Sequence, residues 1–312
     1  MRAVGFHEPG EPDVLEVIDL PVPTPGPGEL RIRVRAAAVN PTDVSRRRGK
    51  IPTGADAPPP PYVPGMDAAG VLEEIGASVD TELRVGEHVM AIVVPSGSHG
   101  AYSEQIVVPA ESVTRVPVGA TDVEASTLPM NGLTARLALD TLALDAGSVI
   151  AISGAAGAMG GYAVQLAQAD GLTVVADASE SDEHLVTGLG ADVVLRRGED
   201  FARLVRERFP EGVGGAIDGA LLLDALAPAV RDGGTIVTVR GYDEPGERGI
   251  TFQPIHVRDY ARAHDKLDAL RRLAEHGTVT LRVAGRLPKE RADEAHRRLE
   301  AGGVRGRLVI EF

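Results

Sequence analysis

The sequence predicts an α/β protein, with a β-rich first third followed by a doubly wound parallel sheet. Three observations in the 312 residues predict it. Residues 29–38, ELRIRVRAAA, set Leu30, Ile32 and Val34 against Arg31, Arg33 and Arg35, which is the period of a half-buried strand. From about residue 120 apolar runs alternate with helical segments, as parallel strands joined by crossover helices require. Between the first such run and its helix lies a glycine cluster, SGAAGAMGGYAVQLAQ, Ser153–Gln168.

The elements follow in order. PVPTPGPGE and, at Ala57–Gly65, APPPPYVPG are proline-rich and favour extended loop backbone. HVMAIVV and AYSEQIVV read as strands, so the first third is expected to be an irregular barrel of antiparallel strands. ASTLPMNGLTARLALDTL reads as helical. Val149–Ser153 is a strand leading into the glycine turn and a helix. Leu172–Ala176 is the next strand, Asp182–Leu189 a helix and Asp192–Leu195 a third strand. Gly214–Asp218 and Thr235–Arg240 add two more, and TFQPIH is read as a loop. An amphipathic helix then carries Tyr260, Ala263, Leu267, Leu270 and Ala274 on one face. A shorter helix and a last strand, RLVIEF, are expected to return to the N-terminal domain.

Composition narrows the function. With no cysteine, disulfides, thiolate catalysis and Cys-containing zinc sites are excluded. A formal net charge of −13 argues against a nucleic-acid partner. No run approaches the roughly 18 apolar residues that cross a membrane. The start, MRAVGFHEPG, lacks the apolar core of a secretory signal. No membrane partner and a cytoplasmic location are therefore expected.

The glycine cluster has two readings, a bare packing turn or a phosphate cradle. The strand before it and the helix after it favour the cradle. Glycine permits positive φ and close backbone approach, and a helix N-terminus offers free N–H groups and partial positive charge. Gly154, Ala155, Gly157, Ala158, Met159 and Gly160 are thus candidate dinucleotide-binding residues. The second strand ends in VVADASESDE. An acid there, Asp177, hydrogen-bonds a ribose 2′-hydroxyl, whereas a base pairs with a 2′-phosphate. No Lys or Arg lies between Thr173 and Leu195, so this stretch alone favours NADH; Glu180 to Glu183 read equally as a solvated loop. Asp218 and Gly219 end another parallel strand, beyond whose carboxyl end ligands bind.

Eight segments run in one order along nearly the whole chain: AAAVNPTDVSRRRG, VPGMDAAGVLEEIGASV, GEHVMAI, GAYSEQIVVP, NGLTARLAL, GAAGAMGGYAVQLA, LGADVVL and GRLVIEF. By them the sequence resembles the medium-chain dehydrogenase/reductase superfamily, in its zinc-independent quinone oxidoreductase branch. The resemblance implies a GroES-like catalytic domain, residues 1–118 and 252–312, around a Rossmann dinucleotide-binding domain, residues 119–251. It implies hydride transfer from a reduced nicotinamide to a quinone or an α,β-unsaturated carbonyl. It also implies a homodimer with the two Rossmann sheets side by side.

In the zinc alcohol dehydrogenases of this superfamily, PGMDAAG corresponds to a Gly-His-Glu segment whose His binds zinc. Here Met66 takes the His position and Asp67 the Glu position, while Asn40 and Asn131 stand where ligand cysteines would be. The lobe that holds structural zinc is absent. A thioether and two amides are poor zinc ligands, so no metal is expected, and His88 and His99 are read as solvated or structural. Reduction of an already electrophilic acceptor needs only orientation and hydrogen bonding.

The resemblance places Asn40 and Asp43 beside the nicotinamide, Asn40 as a donor to an oxygen gaining charge and Asp43 as an orienter. Asp43 reads equally as a helix cap. Tyr62 is either a stacking residue over the substrate or surface packing. Thr134 is expected near the nicotinamide, and Arg46, Arg47 and Arg48 around the mouth. His296 shares an apolar face with Ala292, Ala295 and Leu299 and reads as packing. On the cofactor two arguments conflict. The branch generally uses NADPH, which is the expectation kept, while DASESDE favours NADH unless backbone N–H groups, Ser179 or a base from a distant segment binds the phosphate. Two other functions stay open: a non-catalytic NAD(P)H-binding sensor or structural protein, and an enoyl-type reductase of secondary metabolism.

Overall fold

A computed structural model describes residues 1–50 and 58–312; Ala57, the first residue of the proline-rich stretch, lies outside them. The chain divides into two compact units, residues 1–130, 261–275 and 281–312, and residues 131–260 and 276–280.

The first unit is built on the strand Glu29–Ala38. Its alternation buries Leu30, Ile32 and Val34, while Arg31 and Arg33 pair with Glu73 at the surface. Beyond Val34 every residue from Ala36 to Val39 is buried, and the strand has neighbours on both edges. Asp67–Ile75 runs antiparallel along one edge. Gln105–Pro109 pairs with residues 29–33 along the other edge, and Arg307–Glu311 takes residues 36–38. The end of the chain thus completes the sheet begun near its start. His88–Ile92 and Val113–Arg115 extend the sheet beyond Asp67–Ile75.

AYSEQIVV is a strand only from Gln105, because Ala101 to Ser103 are held elsewhere. Tyr102 donates its N–H to Pro64 and accepts from Val4, which turns its side chain into the core. The helical segment near residue 125 is interrupted: Asp122–Ala125 ends before Pro129, which opens the helix Pro129–Leu142 at the position where a missing N–H costs nothing.

The second unit is a six-stranded parallel sheet. Its order is Val193–Arg196, Thr173–Ala178, Val149–Ser153, Val213–Asp218, Val230–Thr238 and Thr251–Pro254. Numbered along the chain this is 3-2-1-4-5-6, so the order reverses between the first and fourth strands. TFQPIH is therefore not a loop. Thr251–Pro254 lies parallel to Thr235–Thr238 as the edge strand, with Phe252 buried between exposed Thr251 and Gln253. Four residues ending in proline make a weak sequence signal, and only the neighbouring strand makes them β. Tyr260 also leaves its expected place. The amphipathic helix is His264–Glu275, with Leu267 and Leu270 buried, whereas Tyr260 precedes it and donates its hydroxyl to Asp140 at 2.7 Å. Among the described residues no helix is long and apolar enough to cross a membrane.

Candidate functional site

In the second unit the first and fourth strands end side by side, where a doubly wound sheet binds its ligand. Gly154 follows the first strand at φ 71, and Gly219 follows the fourth. A Cβ on Gly154 would lie 2.8 Å from the Gly219 carbonyl carbon, and one on Gly160 would lie 2.2 Å from the Gly154 carbonyl oxygen. These are backbone atoms with no freedom to retreat. The helix Ala158–Ala169 begins on Gly157, an N-cap without a side chain. Its first N–H groups therefore have no side-chain acceptor, and the turn is a cradle that suits a pyrophosphate. Met159 packs its methyl over Gly219, while Ala155 and Ala158 are buried in the turn.

Two acids brace this turn from inside. Asp218 accepts from Ser153 Oγ at 2.7 Å and from the N–H groups of Leu222 and Leu223 at 3.0 and 2.8 Å. It thereby holds Leu221 and Leu223 at φ 62 and 53, a left-handed conformation costing leucine about 1–2 kcal/mol each. Asp218 was expected to meet the cofactor; its carboxylate is instead a fully buried clamp on the loop. Asp177 also braces the turn. Its Oδ1 accepts the Ala155 N–H at 3.0 Å, because the buried turn needs an acceptor. Burial holds its carboxyl above the usual range. Ser179 gives its hydroxyl to Asp182 at 2.6 Å, and Thr134 is buried in the helix Pro129–Leu142. Asp177→Ala is expected to weaken NADH and NADPH binding by similar factors of about tenfold, as loss of a charged buried acceptor implies. Ligand fluorescence titration checks this, and a loss confined to NADH would put the side chain on the ribose.

The first unit contains a buried polar network. Asn40 Nδ2 donates to Asp67 Oδ2 at 2.6 Å and lies 3.4 Å from the Ala38 carbonyl; Asp67 Oδ1 accepts the Met130 N–H at 2.6 Å. Asp43 accepts the N–H groups of Asn40 and Gly65 at 2.8 and 3.0 Å and the Tyr102 hydroxyl at 3.2 Å. Tyr102 Oη is also 3.2 Å from His296 Nε2. Since the single hydroxyl proton goes to Asp43, Nε2 carries a proton and donates to Tyr102, leaving Nδ1 as a bare acceptor. Nδ1 is buried and has no partner among the described residues. Burial pushes Asp67 up to about 7 and Asp43 up to about 6, and it pushes His296 down to about 3.

These contacts bear on the readings the sequence left open. Asp43 is a helix-capping residue that also holds Tyr102, on the helix Pro41–Arg47. The Asn40 amide is engaged with Asp67 rather than free to donate. Tyr62 packs: its backbone exchanges hydrogen bonds with Phe6, and the two ring centroids are 5.5 Å apart. Of the three arginines, Arg47 is buried and ion-paired with Glu300, Arg48 joins the same carboxylate, and Arg46 reaches the Pro95 carbonyl. Tyr102 was not foreseen, and His296 is part of the network rather than plain packing. Their partners lie 59 and 194 residues away from Tyr102, beyond any local pattern. Among the described residues no three His, Cys, Asp or Glu side chains converge as a metal site, and Asp67 is held by the Asn40 amide and the Met130 N–H.

Residues 26–118 match the family described as alcohol dehydrogenase GroES-like domain, and residues 189–310 match zinc-binding dehydrogenase. An NADPH-dependent alkenal/one oxidoreductase of Arabidopsis thaliana is 29% identical over 285 residues, 88% of this chain and 70% of that protein. A quinone oxidoreductase of Pseudomonas syringae superposes with a TM-score of 0.88 at 25% identity, covering 100% of this chain and 99% of the other. An NAD-dependent alcohol dehydrogenase superposes at 0.86 with 29% identity and full coverage of both chains.

Proposed function

This chain belongs to the medium-chain dehydrogenase/reductase superfamily, and on that premise we propose that it is a metal-independent reductase passing hydride from NADPH to a quinone or an α,β-unsaturated carbonyl. The observation that carries the reading is the crossing of Gly154, Gly160 and Gly219, where any side chain would strike its neighbours, directly before a helix N-terminus without a side-chain cap. When bound there, the reduced nicotinamide supplies the hydride. The chain's own work is to hold and orient. The uncapped N–H groups at Ala158 to Gly160 bind the pyrophosphate, Asp177 and Asp218 keep the turn in shape, and Met159 packs over Gly219. In the first unit Asn40 fixes the orientation of Asp67.

Three supports bear on the finer points. The similar Arabidopsis protein is NADPH-dependent and acts on alkenals and enones, and the similar Pseudomonas protein is a quinone oxidoreductase. The donor set around Asp67 argues for chemistry without zinc. The edge strand Thr251–Pro254 leaves one side for a second sheet, which agrees with a homodimer.

The test is oxidation of NADPH and of NADH, separately, with a naphthoquinone and an aliphatic enone, in chelator-treated buffer with non-enzymatic blanks subtracted. Turnover with NADPH, unchanged by added zinc, is the expected result. Turnover that needs zinc would overturn the metal-independent part. Cofactor binding without turnover on any acceptor would favour the sensor reading.

A further inference from the structure

We infer that Arg196 and Arg197, at the end of the third strand of the parallel sheet, form the site for the 2′-phosphate of the dinucleotide and set its preference for NADPH. The inference deepens the proposed function and rests on its cofactor reading. The acidic stretch after the second strand argues against a 2′-phosphate only while that strand is considered alone. The sheet changes its neighbours. Leu195 pairs with Asp177 and Arg196 with Ala178, and the Arg197 N–H donates to the Ala178 carbonyl at 2.8 Å. Two arginines distant from the second strand's end by eighteen residues or more of chain thus flank it at the roughly 4.8 Å spacing of adjacent strands.

Both arginines are exposed, and among the described residues neither forms an ion pair. The acids that seemed to exclude a phosphate are accounted for otherwise. Asp177 faces the glycine turn, and Asp182 is buried and receives the Ser179 hydroxyl. Glu180 and Glu183 are exposed side chains on the short turn and helix beyond. Arg197 contributes positive potential at this edge, since its charge draws the Asp177 carboxyl down against the effect of burial. An adenosine ribose carried on the pyrophosphate cradle reaches the end of the second strand. A 2′-phosphate there meets two unpaired guanidiniums, whose planar forks suit a phosphate's oxygens.

The experiment compares dissociation constants by calorimetry for NADPH, NADH, adenosine 2′,5′-bisphosphate and 5′-AMP. The proteins are the wild type, Arg197→Ser, the double variant Arg196→Ser/Arg197→Ser, and Arg208→Ser as an equal loss of charge elsewhere on the surface. The wild type is expected to bind the bisphosphate at least tenfold more tightly than 5′-AMP. Arg197→Ser should remove most of that ratio and the double variant nearly all, with NADH affinity held within about twofold. Arg208→Ser should leave the ratio unchanged. A wild-type ratio near one, or a ratio that survives in the double variant, would overturn the inference. Tight binding of both dinucleotides without turnover would defeat the proposed reductase while leaving the arginine site to stand on its ratios. Failure of the wild type to bind either dinucleotide would defeat both.

Discussion

Gly160→Ala is expected to cost the protein its dinucleotide and several kcal/mol of stability. The added methyl would sit 2.2 Å from the Gly154 oxygen, 2.7 Å from its carbonyl carbon and 2.9 Å from Ala155 Cα. None of these is a flexible side-chain end. The turn must open, and opening it separates Ala155 from Asp177 and Gly154 from Gly219. Overpacking in a close-packed core costs about 1–3 kcal/mol, and lost hydrogen bonds add to that. NADPH affinity should fall by at least about tenfold, because the N–H groups of the cradle lose their common direction. Gly157→Ala is the control. Gly157 has φ −70, and its Cβ would meet only the Gly154 oxygen, at 3.1 Å. Its loss of affinity should be clearly smaller. Urea unfolding and NADPH fluorescence titration of both variants check the order. Equal effects at the two positions would mean that the crossing does not govern binding.

Asp67→Asn and His296→Leu are expected to change the pH dependence of stability in opposite directions. Asp67 has a folded value near 7 against an ordinary one near 4, so in that window the folded protein holds a proton that the unfolded chain has lost. Its cost is absent below about pH 4, grows as pH rises, and is complete above about 7. Stability of Asp67→Asn relative to the wild type should therefore rise with pH across that window, with a slope on the order of 1 kcal/mol per pH unit. His296 is the reverse. Burial holds it near 3 against an ordinary value near 6.5, so the unfolded chain binds the proton and the wild type loses stability as pH falls through that range. Stability of His296→Leu relative to the wild type should therefore fall as pH rises from about 3 to 6.5. Urea midpoints measured from pH 4.5 to 8 give both difference curves. Parallel curves would show that the carboxyl or the imidazole carries its ordinary charge inside the fold.

Local pattern disclosed much of this molecule. The alternation at Leu30, Ile32 and Val34 is a strand, and five of the six parallel strands announce themselves as apolar runs between turns. The glycine spacing marks the turn, because the backbone at Gly154 and Gly160 approaches another backbone too closely for a side chain. The sixth strand was invisible: four residues ending in proline have no β character until a neighbour supplies hydrogen bonds. Asp177 shows the same limit at the site. Its position at a strand end is plain in the sequence, but the direction of its carboxylate depends on which N–H groups lie unsatisfied nearby.

By itself, then, the sequence determined the fold class, the glycine turn and the absence of cysteine chemistry, since each depends on residue type and near spacing. Only the tertiary structure decided that Asp43, Tyr102 and His296 form one hydrogen-bonded chain, and that Arg196 and Arg197 flank the end of the second strand. Hydrogen bonds and ion pairs act over a few ångströms of space, and residues 194 positions apart become neighbours only when sheet order and register have been set.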